Sequence, residues 1–233
     1  MDITLLIGTC DKYSFLWNNF TKLSDKYLTF DYSKKIFVSE TKTAKYKNYT
    51  TRLFETGMSW SDRMLSTLNE IDTKYTFFVL DDYYFVEKID NKEMKFHLDL
   101  LEEMKGNKVM FDYKCPHLKL GKRITDKKRG VYELNNNSNY LTSLQPSLWK
   151  TSFLKECMQH NWSPWEFEIK GSEKRQGKDN RNYLSIRTKK PYFNIVRNTN
   201  RGLKIVKKWQ GYSWEKIKEK ENLEELNLRD TNT

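Results

Sequence analysis

The chain has 233 residues, 37% hydrophobic and 15% aromatic, with a mean hydropathy of −0.85; the rings exclude bulk disorder and predict one large domain with a core of few, large side chains. Forty-two Lys and Arg against 31 Asp and Glu leave a net charge of +11, which points to a polyanionic partner: nucleic acid, anionic lipid or a phosphorylated substrate. Three cysteines without CxxC spacing and three scattered histidines carry no readable disulfide framework or zinc site, and no apolar run approaches the ~20 residues of a membrane span, so a cytosolic chain with free thiols is expected.

Ile3 to Ile7, stopped by Gly8, predicts a first buried strand. Tyr13, Leu16, Trp17, Phe20 and Leu23 recur at helical spacing behind it, with Asp11 placed to cap the start. Ile36 to Val38 predicts a second strand, and this order suggests a right-handed parallel βαβ unit. A helix follows with Met64, Leu65, Leu68 and Ile71 on one stripe and Ser61 as its N-cap. Tyr75 to Leu80 predicts a buried strand that ends abruptly in Asp81 and Asp82. A further helix carries Met94, Leu98, Leu101 and Met104, and Lys108 to Phe111 returns as a strand. This alternation is that of a doubly wound sheet, whose ligands bind beyond the carboxyl ends of the strands. From Lys114 to Asn139 the pattern gives way to a loop or hairpin excursion. Gln145 to Trp149 then leads into a helix with Phe153, Leu154 and Met158. Tyr192 to Val196 and Leu203 to Val206 predict short strands, and a charged helix with Trp214 and Ile217 inward ends the chain.

Three constellations could carry chemistry. Asp81 and Asp82 repel each other at the end of a buried strand, an arrangement that suits a cation or sugar hydroxyls between them, and equally a solvated turn. Ser163-Pro164-Trp165-Glu166-Phe167-Glu168 has the spacing of a capping box, with Pro164 at the first helical position. Its functional reading makes Glu166 or Glu168 a general base with a pKa raised by Trp165 and Phe167; a helix would point the two apart and an extended chain would let them share a face. The third is Lys170 to Lys208, where 13 basic residues face two acidic ones, interleaved with Tyr183, Tyr192, Phe193 and Trp209. That footprint suits nucleic acid, a diphosphate or an anionic bilayer, and for any single residue a solvated charged face. Arg63, in the first turn of its helix, sits where the dipole mildly disfavours cations, which an anionic partner would explain.

Together these residues resemble the GT-A-fold glycosyltransferases of bacterial capsule and lipopolysaccharide synthesis, over nearly the whole chain. Ile7-Gly8-Thr9-Cys10-Asp11 is similar to their first-strand nucleotide loop, Val38-Ser39-Glu40 to the second strand end, and Ser59 to Arg63 to a helix start bearing an arginine near the diphosphate. Leu80-Asp81-Asp82-Tyr83 is similar to a variant DXD motif, with Tyr83 where a metal-binding carboxylate is usual. Leu144 to Trp149 with Pro164 to Glu168 resembles the acceptor side, and Gly202 to Trp209 the closing segment.

The resemblance implies an α/β fold: a GT-A-like, Rossmann-type, mostly parallel sheet flanked by helices, in a single domain with a nucleotide-sugar half (1–113) and an acceptor half (114–233). It implies a nucleotide-sugar donor, UDP-linked, touching Thr9, Asp11, Glu40, Arg63, Asp81 and Asp82, with Mn²⁺ or Mg²⁺ at Asp82 or else Arg and Lys neutralising the leaving diphosphate. Glu166 or Glu168 is then the base of an inverting transfer, with Glu166 slightly favoured. Gln145, Trp149 and Trp165 would meet a glycan or lipid-linked saccharide acceptor. The enzyme would lie in the cytoplasm, peripheral on an anionic membrane, with no nucleic-acid partner. Two rivals are a non-catalytic nucleic-acid-binding protein, which leaves the carboxylates at a buried strand end unexplained and lacks RRM, KH and zinc signatures, and a nucleotidyltransferase, for which Gly8-Thr9-Cys10-Asp11 is poor in glycine.

Overall fold

The structure is a computed structural model and describes residues 1–112, 118–124, 130–186, 192–199, 202–205 and 214–223. Ile3–Gly8 (β1) is buried throughout. A 3₁₀ helix (Asp11–Leu16) runs into Trp17–Tyr27 (α1), followed by Lys34–Val38 (β2), Thr50–Arg52 (β3), Trp60–Asn69 (α2), Tyr75–Leu80 (β4), Tyr83–Phe85 (β5) and Asn91–Glu103 (α3). Then come Lys108–Asp112 (β6), Leu120–Arg123 (β7), Gly130–Leu134 (β8), Ser147–Lys150 (β9), Thr151–Cys157 (α4) and Pro164–Arg175 (α5). Asn182–Ile186 (β10), Phe193–Thr199 (β11), Gly202–Ile205 (β12) and Trp214–Glu221 (α6) complete the order.

Among the described residues, nine strands form one sheet in the order β3-β2-β1-β4-β9-β6-β10-β8-β7. β1 is parallel to both β2 and β4, whereas β9 enters antiparallel between β4 and β6. Successive residues of a strand face opposite sides, and both sides are covered. Leu5, Ile7, Phe77 and Val79 pack with Phe20 and Leu23 of α1 and Leu101 of α3, while Leu6, Phe78 and Val38 pack with Met64 of α2, Leu154 of α4 and Phe167 of α5. The apolar runs read as buried strands are therefore buried on both faces. β5, β11 and β12 make a separate three-stranded sheet just beyond the end of β4.

Several local expectations are corrected. Asp11 does not cap α1: the residue before the 3₁₀ turn, Cys10, makes no side-chain cap, and the Asp11 carboxylate is drawn elsewhere. Ser59, not Ser61, caps α2 by accepting from Asp62 N (3.1 Å), because Ser61 Oγ is engaged by Trp162 N (2.7 Å). On α3 the buried stripe is Met94, His97, Leu100 and Leu101, with Leu98 half-buried and Met104 exposed. The 114–139 excursion contains the β7–β8 hairpin. Lys108 is fully buried at the start of β6, where Nζ donates to the carbonyls of Leu141 (3.2 Å) and Ser143 (2.9 Å) and lies 4.1 Å from the Trp149 ring centroid. Burial holds its pKa down at about 7. Among the described residues no helix is long and apolar enough to cross a membrane, and Cys10 and Cys157 are free.

Candidate active site

The strand order reverses at β1: β2 lies on one side and β4 on the other, so their carboxyl ends, Gly8 and Leu80, open a crevice of the kind that binds ligands in α/β sheets. Thr9, Asp11, Glu40, Arg63, Asp81 and Asp82, far apart in sequence, all come from segments at this end. Two networks hold the first five.

The first joins the loop after β1 to the end of β2. Asp11 Oδ1 accepts from Ser39 Oγ (3.0 Å), Thr41 N (3.0 Å) and Lys42 N (2.9 Å). Burial alone would raise the Asp11 carboxyl, but the donors on Thr41, Lys42 and Ser39 outweigh it and hold it at about 2. Asp11 N in turn donates to Glu40 Oε2 (3.0 Å), whose Oε1 pairs with Nη1 of the buried Arg63 (2.7 Å). Asp11, Glu40 and Arg63 are thus mutually engaged, and they fix the wall of the crevice.

The second network closes around Asp81. Thr9 Oγ1 and Trp17 Nε1 (3.0 Å) both donate to Asp81 Oδ2, and Trp17 Nε1 also reaches Thr9 Oγ1 (2.8 Å). Only 4% of Asp81 is exposed. Burial, which outweighs the Thr9 and Trp17 hydrogen bonds, pushes its pKa up to about 8, so it is largely protonated at neutral pH. Trp17 is the residue of this network that periodicity alone conceals: it reads as one member of an apolar stripe, yet a buried indole N–H requires an acceptor.

A divalent cation at the end of β4 would therefore find little to hold it. Asp81 is enclosed by Thr9 and Trp17, and the Tyr83 ring packs edge-on against Phe193 with centroids 5.0 Å apart. Among the described residues no group of three His, Cys, Asp or Glu side chains could hold a metal ion. The donor set does not fit a cation held by the protein alone.

On the acceptor side the expectations separate. The Ser163–Glu166 capping box forms and Pro164 starts α5, so the segment is helical and Glu166 and Glu168 diverge. The expectation of a raised pKa at Glu166 is overturned: the Lys170 ammonium (2.7 Å), then the backbone N–H and hydroxyl of Ser163, hold it at about 2. Glu168 instead turns toward the segment entering β9, where Oε1 accepts from Leu144 N (2.7 Å) and Ser143 Oγ (3.2 Å). Because Ser147 pairs with Phe78 and the strands run antiparallel, residues 144 and 145 lie alongside the end of β4. Gln145 is half-buried there, and its buried Oε1 has no partner among the described residues. Trp165 is 67% exposed, one helical turn before Glu168. Trp149 is corrected: it is fully buried among Phe153, Phe167 and Lys108, and cannot meet an acceptor.

Four described cations of the basic stretch are engaged within the protein. Lys170 pairs with Glu166, Arg175 with Glu156 (2.9 Å) and Arg181 with Asp179 (2.8 Å), and Lys174 Nζ lies 4.8 Å from the Trp162 ring centroid. Arg187, Arg201, Lys207, Lys208 and Trp209 lie outside the described residues.

This sheet, with its crevice at the β1 and β4 ends, is a GT-A-like fold. No protein-family model matches the chain. No curated protein matches it by sequence. Among solved structures it is similar to S. aureus TarS 1–349, with a TM-score of 0.54 and 15% identity over 83% of this chain and 60% of that one. The complex of TarS 1–349 with UDP-GlcNAc gives a TM-score of 0.55 at 15% identity, covering 83% and 58% of the two chains. The complex with UDP gives 0.55 at 15%, covering 83% and 60%. The chain thus spans 60% or less of the length of these neighbours.

Asp81→Asn keeps an accepting oxygen for Thr9 and Trp17, so the thermal midpoint should stay close to the parent's; a large fall in the midpoint on thermal denaturation would contradict this reading of the Asp81 network.

Proposed function

We propose that this protein transfers a sugar from a UDP-linked donor to a hydroxyl of a glycan or lipid-linked saccharide, in the synthesis of a bacterial surface polysaccharide such as capsule or lipopolysaccharide. The observation that carries this is the convergence of Thr9, Glu40, Arg63, Asp81 and Asp82 on the switch-point crevice of a GT-A-like sheet, the fold shared with a protein solved in complex with UDP-GlcNAc.

The nucleoside diphosphate lies across the ends of β1 and β4, against the Asp11–Glu40–Arg63 wall, in the half formed by residues 1–113. Asp82 approaches the donor's sugar or ribose. The acceptor sugar stacks on Trp165, with the half-buried Gln145 on its other side. Glu168, one turn from Trp165 and bonded to the segment beside Gln145, takes the proton of the attacking hydroxyl as the C–O bond to the anomeric carbon forms and the bond to the diphosphate breaks. The base thus moves from Glu166 to Glu168, since a carboxylate with a pKa near 2 is a poor proton acceptor. Arg and Lys side chains neutralise the departing diphosphate, and the basic stretch from Lys170 to Lys208 draws the enzyme to the anionic inner face of the membrane.

A thermal-shift screen of UDP-sugars tests this. A donor at 100 times its Kd should stabilise the fold by ~2.7 kcal/mol. No stabilisation by UDP or any UDP-sugar would contradict the proposal.

A further inference from the structure

The donor site described above includes Asp82, and what fixes Asp82 lies outside the crevice. Its carbonyl accepts from Val196 N of β11 (2.8 Å), and Ile195, Asn194 and Phe193 pair with Tyr83, Tyr84 and Phe85. Three paired residues make a weak ladder, and a one-residue slip of β11 would turn every side chain to the opposite face. Something must set the register.

A buried polar cluster stands where β11 begins. Tyr192 OH donates to Glu93 Oε1 (2.9 Å), and Ser185 Oγ lies 3.1 Å from the same hydroxyl. His97 Nε2 is 3.4 Å from both Glu93 Oε1 and Ser185 Oγ. With the tyrosine proton committed to the carboxylate, Ser185 donates to Tyr192 and the imidazole Nε2–H faces Ser185 and Glu93, so these hydrogen bonds run in one consistent sense. Tyr192, His97 and Ser185 are each almost wholly buried, and the Tyr192 and His97 rings both pack edge-on against Phe111. The Tyr192 carbonyl also accepts from Val86 N (3.0 Å) and Glu87 N (3.3 Å), just past β5.

Polar groups in an aromatic core are costly when their hydrogen bonds break, and a cluster whose hydrogen bonds form in only one arrangement specifies that arrangement. We propose that Tyr192, Glu93, Ser185 and His97 form a latch that sets the register of β11 against β5 and thereby positions Asp82 in the donor crevice. They act as positioning residues and touch no substrate. The latch follows from the geometry alone; only its consequence for nucleotide affinity rests on the donor reading.

Tyr192→Phe keeps the ring on Phe111 and deletes the hydroxyl; Ser185→Ala is a second, milder variant. Hydrogen exchange of the Val196 amide reads the latch, with Phe77 in the main sheet as reference. We expect Val196 to exchange ~10-fold faster in Tyr192→Phe with Phe77 unchanged, and UDP to bind ~10-fold more weakly, the scale of losing a hydrogen bond to a charged group. Val196 unchanged in both variants, or accelerated only in step with Phe77, would overturn the latch. Faster Val196 exchange with unaltered UDP affinity would overturn its positioning role. A parent protein that fails to bind UDP would instead contradict the donor reading, and the exchange ratio would still decide the latch.

Discussion

Glu168→Gln should lower turnover by ~10² or more while UDP affinity and thermal midpoint stay at parental values, the signature of removing a general base. The substitution keeps an oxygen for Leu144 N and Ser143 Oγ, so the segment entering β9 stays in place. Glu166→Gln is the control within the same helix turn. Its carboxylate serves the capping box and the Lys170 pair, and glutamine at that position still bonds the Ser163 N–H, so activity should persist with little change in stability. Steady-state rates and melting curves on both variants check this. Loss of activity in Glu166→Gln with retention in Glu168→Gln would reverse the assignment.

The second large effect concerns Lys108. Its pKa is about 7 in the fold, because burial disfavours the ammonium, and ~10.4 in an unfolded chain. Between those values the unfolded state holds more protons, so the Lys108 contribution rises with pH across that window and its penalty is fully present below pH 7. Relative to Lys108→Met, the parent should gain up to ~4 kcal/mol on going from pH 7 to pH 10. The comparison removes the other titrations, and the carbonyls of Leu141 and Ser143 left without a donor change the offset and not the slope. Urea unfolding at the two pH values checks it; parallel stabilities would mean that the Lys108 ammonium finds solvation inside the fold.

The parallel half of the sheet is legible in the sequence because β1, β4 and the Ile36 to Val38 end of β2 are buried, and a strand covered on both faces must be apolar at every position, as Ile3 to Ile7 and Tyr75 to Leu80 nearly are. β3 is three polar residues at the sheet edge, and β10 lies within the basic stretch, with its buried Tyr183 and Leu184 masked by neighbouring charge. Cap residues misread because two serines compete: Ser59 and Ser61 both suit a helix start, and only the tertiary bond from Trp162 N decides between them.

The site divides in the same way. That Thr9, Glu40, Arg63 and Asp81 end up at one edge of the sheet is readable, since strand ends and helix starts in an alternating β/α chain converge there. Their engagement with one another is not, because hydrogen bonds such as Asp11 to Ser39 and Thr41 or Trp17 to Asp81 depend on loop conformations that no spacing encodes. Trp149 shows the opposite error. An aromatic residue in a motif resembling an acceptor site suggests a sugar platform, yet its position in β9 turns the indole into the core above a buried lysine.

Amide chemical-shift mapping with UDP tests the central claim most directly, that the β1/β4 crevice is a nucleoside-diphosphate site. The largest shifts should fall on Gly8 to Asp11 and on Leu80 to Tyr83, with smaller ones at Glu40 and Arg63. Absence of shifts at saturating UDP, or shifts confined to segments away from the ends of β1 and β4, would contradict it.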